Sequence, residues 1–190
     1  MSTAVITKST TEMSPCVKAR IAGVFYLLCF VTGIFALLVR SKLGFASGLI
    51  AGACYVAVTL FFYYLFKPVN RNLSWLAAFI SLVGCTIAPL SLFVHLASRI
   101  SPFVFFGFYC LLIGYLIFRS TFLPRILGAL MALAGVGWLT FLSARLATYL
   151  SPYNMLPGVI GEGTLMLWLL VMGVNVQRWK EQASLNGRRV

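Results

Sequence analysis

Apolar residues in this chain come in long unbroken runs, not in the alternation of a half-buried strand. Six such runs can be marked: Ile21–Val39, Leu43–Phe66, Leu73–Leu96, Phe103–Phe118, Ile126–Ala144 and a last one ending at Val176. Each approaches or reaches the ~20 residues needed to cross a hydrocarbon layer about 30 Å thick. Backbone amides find no water in lipid, so all six are expected to be α-helical. The pattern is plainest from Phe103 to Arg145, where two apolar runs meet in the basic turn Arg119-Ser-Thr-Phe-Leu-Pro-Arg125, which Pro124 helps to close. A bilayer requires such a hairpin; a water-soluble core has little use for it. The expected fold is an all-α polytopic bundle of six transmembrane helices. A mobile tail is expected over residues 1–19, the bundle over 20–180 and a basic tail over 181–190. Connections are short except for Ala147–Ile160.

Composition agrees. Hydrophobic residues make up 61% of the 190 and charged residues 9%, with a mean hydropathy of +0.98, whereas soluble domains are roughly 45–50% apolar and about 25% charged. The formal charge of +12 could suggest a nucleic-acid partner. Its distribution argues otherwise, because the basic residues stand singly or in pairs between apolar runs, so no nucleic acid is expected as a partner. With both termini on one side, that side collects eleven Lys and Arg, and only Arg40, Lys42, Arg99 and Arg145 lie opposite. The positive-inside rule then places both termini in the cytoplasm. Trp75, Trp179, Tyr63 and Tyr64 near the inner boundary, with Tyr149 and Tyr153 near the outer, fit aromatic belts. The first run ends in Arg40-Ser41-Lys42, not a small-residue cleavage site, so it reads as a retained helix. Four of the five cysteines (Cys29, Cys54, Cys85, Cys110) lie inside apolar runs, which suits small buried fillers and not a disulfide framework.

Three local features bear on packing. Gly44, Gly48 and Gly52 share one face of the second helix and admit a close neighbour. That neighbour is either another helix of the bundle or a second copy of the chain. Pro89 leaves the carbonyl of Cys85 unpaired and should kink the third helix. Arg20-Ile-x-Gly and Arg125-Ile-x-Gly open the first and fifth helices, each followed by an arginine twenty positions on, which admits a duplicated unit.

Charges forced into a span are costly and commonly functional. Leu165–Val176 is too short to cross, and extending it outward through Pro157 draws in Glu162, roughly one and a half turns below the outer surface. Arg145, His95, Arg99, Arg40 and Lys42 lie on that same side. Two readings follow: a ligand or proton pocket formed by Glu162, Arg145 and His95, or a structural Glu162–Arg145 ion pair, since a buried carboxylate requires a partner. His95 lacks the companions a metal site needs. No nucleophile elbow, His-Glu-x-x-His helix or phosphate-binding glycine loop occurs, so no metal, cofactor or catalytic residue is expected. Arg119 and Arg125 could touch anionic headgroups or simply anchor the topology.

The run Gly114-Tyr-Leu-Ile-Phe-Arg-Ser-Thr-Phe-Leu-Pro-Arg-Ile-Leu-Gly128, then Leu133-Ala-Gly135, Glu162 and Leu167-Trp-Leu-Leu-Val-x-Gly-Val174, resembles a bacterial integral membrane family catalogued as a domain of unknown function (four-three-eight-six). Arg20-Ile-Ala-Gly-Val-Phe-Tyr-Leu-Leu and Lys67-Pro-Val-Asn-Arg71 share the likeness, although Ser41–Gly44 is shorter than the usual first outer loop. The resemblance implies a six-helix protein of the inner membrane and includes Glu162 in its pattern; it implies no activity. Three classes of function follow. The first is a non-catalytic protein that binds a lipid or other hydrophobic ligand, or serves as an accessory subunit. The second is a small transporter with Glu162 at its substrate or proton site, and the third an intramembrane enzyme. Membrane lipids, a homo-oligomer or a larger membrane complex are the expected partners.

Overall fold

Where the apolar runs begin and end is decided by a few caps, and these set the architecture. The computed structural model describes residues 13–39, 41–90 and 101–187. Ser14 accepts a hydrogen bond from the Val17 amide and Pro15 occupies the first turn, so helix α1 (Pro15–Leu38) begins inside the stretch expected to be a tail. Helices α2 (Lys42–Phe66) and α3 (Arg71–Leu90) follow, the second capped by the Asn70 side chain accepting from the Leu73 amide. Then come α4 (Pro102–Arg119), α5 (Arg125–Leu139), the short α6 (Ala144–Leu150), α7 (Leu156–Val171) and α8 (Val176–Gly187). No strand occurs among the described residues. Among the described residues, five helical segments are long and apolar enough to cross a membrane: α1, α2, α4, α5 with its 3-10 extension to Leu142, and α7 with the turn before it. The third expected span is helical as far as Leu90, with Pro89 within it; its remainder lies outside the described residues.

Two expected boundaries move for local reasons. Ile126–Ala144 is not one helix. The chain tightens into a 3-10 turn at Thr140–Leu142, where the Thr140 hydroxyl donates to the Gly137 carbonyl, and Ser143 then caps α6. At the other end of the bundle Gly173 adopts φ +67°, a left-handed conformation that ends α7. Asn175 accepts from the Arg178 amide and starts α8, so the segment expected to be a basic tail is helical from 181 to 187.

Helix α8 is mostly polar and packs across the turn between α4 and α5. Gln182 accepts from the Thr121 amide at 3.1 Å and donates to the Arg119 carbonyl at 3.2 Å. The Trp179 indole donates to the Leu65 carbonyl at 2.9 Å. The turn itself is no loose linker, because Phe122 and Leu123 fold back into the core, Phe122 against Phe66. Removing both anchors with Trp179→Phe and Gln182→Ala is expected to free α8 without unfolding the bundle. Tryptic cleavage after Arg178 and Lys180 in detergent should become severalfold faster, and an unchanged cleavage rate would show that α8 is held by something else.

In lipid, helices gain little from hiding apolar surface from one another, so close packing and polar ties carry their association. The glycines show where backbones meet. A Cβ on Gly44 would strike the carbonyl of Val39, and one on Gly48 would touch Ala36, so both serve the α1–α2 hairpin. Gly52, third in that row, faces open space. The tightest seam joins the antiparallel α4 and α5. A Cβ on Gly114 would sit 2.9 Å from the Gly128 carbonyl oxygen, and one on Gly128 would sit 2.8 Å from that of Gly114. Two turns along, Gly107 and Gly135 repeat the arrangement at 3.1 and 2.8 Å.

Candidate functional site

Glu162 lies in α7 and is almost fully buried. The neighbouring glycines make this possible. Gly161 lets α7 press against the Leu130 carbonyl of α5, and Gly158 admits the Trp138 indole within the space a Cβ would fill. One turn beyond Gly158, that indole reaches the carboxyl group and donates to Oε1 at 2.5 Å. Stacking on Phe103 of α4, at 5.0 Å between ring centroids and 9° between planes, holds the indole in place.

Three more donors converge on the same group. The Tyr26 hydroxyl of α1 donates to Oε2 at 2.5 Å, and the Tyr55 hydroxyl of α2 donates to the same oxygen at 3.3 Å. The Cys110 thiol of α4 stands 3.7 Å from Oε1. Thus one carboxyl group is bound to four other helices. Tyr26, Tyr55 and Cys110 each lie near the midpoint of their helices, and Glu162 follows the start of α7 by six residues. Around the oxygens is an aromatic wall: Tyr26 lies edge-on to Tyr55, Phe62 and Phe30, and Tyr55 packs on Phe106 and Tyr109. One turn along α2, Thr59 is hydrogen-bonded to Ser81 of α3 at 2.7 Å, both buried. Polar contacts therefore continue from the carboxyl cluster to α3.

The sequence-based site is only partly reproduced. Arg145 is exposed on α6 and is not among the partners of Glu162, so the expected ion pair does not form. The reason is the interruption of the helix at Thr140–Ser143, which turns Arg145 away from the end of the fifth helix. His95, with Arg99 and Arg40, lies outside the described residues. Hydroxyl, indole and thiol donors take the place of the cation. This solution suits lipid, where an unpaired buried polar group is costly and each donor also fills space. A signal for it was present: Tyr26, Tyr55 and Trp138 carry polar handles well inside apolar runs, where such groups need a partner. Among the described residues no cluster of His, Cys, Asp or Glu could hold a metal.

Concavities open elsewhere, at the end of the bundle that carries most of the basic residues. One, of about 1050 Å³, is lined by Lys18, Tyr64, Lys67, Arg71, Arg119, Trp179 and Lys180 with their neighbours. A smaller one, of about 400 Å³, lies beside the α4–α5 turn and the start of α8. No residue of the Glu162 cluster lines either.

Comparison with known proteins gives a match to the family described as "Domain of unknown function (DUF4386)", over residues 40–100 and 92–173. The chain belongs to this family. The two matched stretches contain Tyr55, Cys110, Trp138 and Glu162, and Tyr26 lies before them. Outside the family description, the chain is 28% identical over 124 residues to an uncharacterised protein of Archaeoglobus fulgidus, covering 62% of this chain and 76% of that one. No solved structure matches significantly.

Proposed function

We propose that this DUF4386 protein is a non-catalytic integral membrane protein that holds a lipid or other hydrophobic molecule, alone or as an accessory subunit of a larger membrane complex. In this reading it crosses the cell (inner) membrane of a bacterium six times, with both termini in the cytoplasm. One observation carries the proposal. Glu162, the only acidic residue in the membrane region, is buried and engaged by donors from four helices. A carboxyl group so enclosed acts as a structural tie between helices. General acid–base work, or proton uptake along a path, requires a group within reach of its reactant. Two concavities that could receive a molecule lie at the basic end, and no residue of this cluster lines either.

Native mass spectrometry of the full chain, extracted in a neutral detergent, tests the reading. Retained lipid-like mass is expected on the wild type and equally on Glu162→Gln, because the amide keeps an oxygen for Trp138 and can donate to Tyr26. Loss of that mass from a folded Glu162→Gln variant would move the binding site to Glu162 and favour the transporter class. Absence of any retained mass from both proteins would remove the ligand-holding reading.

A further inference from the structure

We infer that the groove between the ends of α1, α2, α3, α4 and α8 is a site for the phosphate headgroup of an anionic glycerophospholipid. The inference rests on the ligand-holding reading above and gives it a place and a chemistry.

Five cations, Lys18, Lys67, Arg71, Arg119 and Lys180, line one concavity of about 1050 Å³. They come from five different helices or helix ends, so the fold gathers what the sequence scatters. The whole chain has three acidic residues. Glu162 is enclosed in the bundle, which leaves Glu12 and Glu181, so at most two acids can face five cations. A concavity with more cations than acids attracts an anion, and phosphate oxygens suit both the planar fork of arginine and the point charge of lysine.

The source of the phosphate follows from the groove's surroundings. Tyr64 and Trp179 belong to its wall, and both residue types favour the headgroup level of a membrane. The Lys18 ammonium lies 5.9 Å from the centre of the exposed Tyr64 ring. Trp179 is half-buried, with its indole tied to the Leu65 carbonyl. On the flank of the bundle the exposed rings of Trp75 and Phe79 stack on each other along α3, an apolar surface against which acyl chains can lie. The amphipathic α8 forms the far wall, as an interfacial helix would. A free phosphate would use the cations alone. A phospholipid uses the cations, the aromatic rings and the apolar flank together.

The test is a titration of the full-length protein with phosphatidylglycerol or phosphatidylcholine of identical chains, followed by native mass spectrometry. Phosphatidylglycerol is expected to bind the wild type more tightly, and less tightly as salt is raised. The double variant Lys67→Gln/Arg71→Gln is expected to bind it about 25-fold more weakly, taking each charge near an anionic surface as roughly a fivefold factor. Arg145→Gln, the loss of one exposed charge at another place, should bind as the wild type does. Equal affinity for the two lipids, or an unaffected double variant, overturns the groove assignment; if lipid is still retained, the ligand-holding reading survives. Displacement of the lipid by millimolar glycerol 3-phosphate would show that the site takes a free anion and overturns the choice of lipid. If no lipid binds any of the proteins, both the groove and the reading beneath it fall.

Discussion

Glu162→Leu is expected to cost the bundle about 2–5 kcal/mol. The range follows from what leucine leaves behind. Three donors, the Tyr26 and Tyr55 hydroxyls and the Trp138 indole, lose their acceptor in a buried place. An orphaned buried donor costs roughly 1–3 kcal/mol in water-soluble proteins, while interhelical hydrogen bonds in membranes average only about 0.6 kcal/mol. The lower figure applies where the altered helix finds other partners. It suits Glu162 poorly, because the donors come from three helices and each is fixed by ring packing. The measurement is thermal unfolding of the purified protein in detergent, where a loss of this size lowers Tm by about 5–15 °C. Tyr26→Phe alone should cost about 1 kcal/mol. Combined with Glu162→Leu it should add almost nothing, because both changes remove one bond. Arg145→Gln should leave Tm unchanged and show no coupling to Glu162. A measurable coupling between 145 and 162, or a Glu162→Leu protein as stable as the wild type, would contradict the carboxyl cluster.

How far the sequence reached is best judged residue by residue. The apolar runs located α2 and α4 to within a residue, because in lipid the hydrogen-bonding requirement leaves a backbone no choice but helix, whereas α1 starts six residues before its run and α7 ends five residues before Val176. Glu162 was found by the same reasoning, since a lone acid drawn into a span is conspicuous. Its partners were not. Arg145 was favoured because opposite charges attract, and that pairing assumed that helix five continued through Thr140–Ser143. The helix instead breaks there by hydroxyl-to-carbonyl bonding, a competition between side chain and backbone that apolar periodicity does not register. Tyr26, Tyr55, Cys110 and Trp138 come from four helices, and only the tertiary arrangement brings them together. The groove illustrates the same limit. Lys18, Lys67, Arg71, Arg119 and Lys180 count towards topology when read along the chain, and become one concave basic surface only when α8 folds back over the end of the bundle.

The glycines teach this lesson in reverse and lead to the second large effect, Gly114→Ala. The row Gly44, Gly48, Gly52 has the obvious four-residue spacing, yet its last member packs against nothing. The seam that matters has a seven-residue spacing, Gly107 with Gly114 on α4 and Gly128 with Gly135 on α5, paired in antiparallel register. Seven residues are two turns, so each pair meets on the same face of both helices. A methyl group on Gly114 would lie 2.9 Å from the Gly128 oxygen and 3.1 Å from the Ala132 nitrogen. These are backbone atoms, so no side chain can swing aside and the helices must separate. The expected cost is about 1–3 kcal/mol, the range for overpacking a close-fitted core. It opposes the gain of up to about 1 kcal/mol that alanine brings over glycine within a helix, and it outweighs that gain only where backbone blocks the way. Gly52→Ala and Gly163→Ala, whose added carbons meet open space, are therefore expected to leave Tm unchanged or raise it slightly. Gly114→Ala combined with Gly128→Ala should cost less than the two separately, because the first separation of the helices already accommodates the second methyl. Gly114→Leu is expected to prevent the folded protein from accumulating in the membrane. Thermal unfolding of the five variants decides the matter. Similar shifts for 52, 163 and 114 would mean that α4 and α5 do not approach at these glycines. A selective loss at 114 and 128 would establish that this contact sets the spacing on which the Phe103–Trp138 stack, and through it the Glu162 cluster, depends.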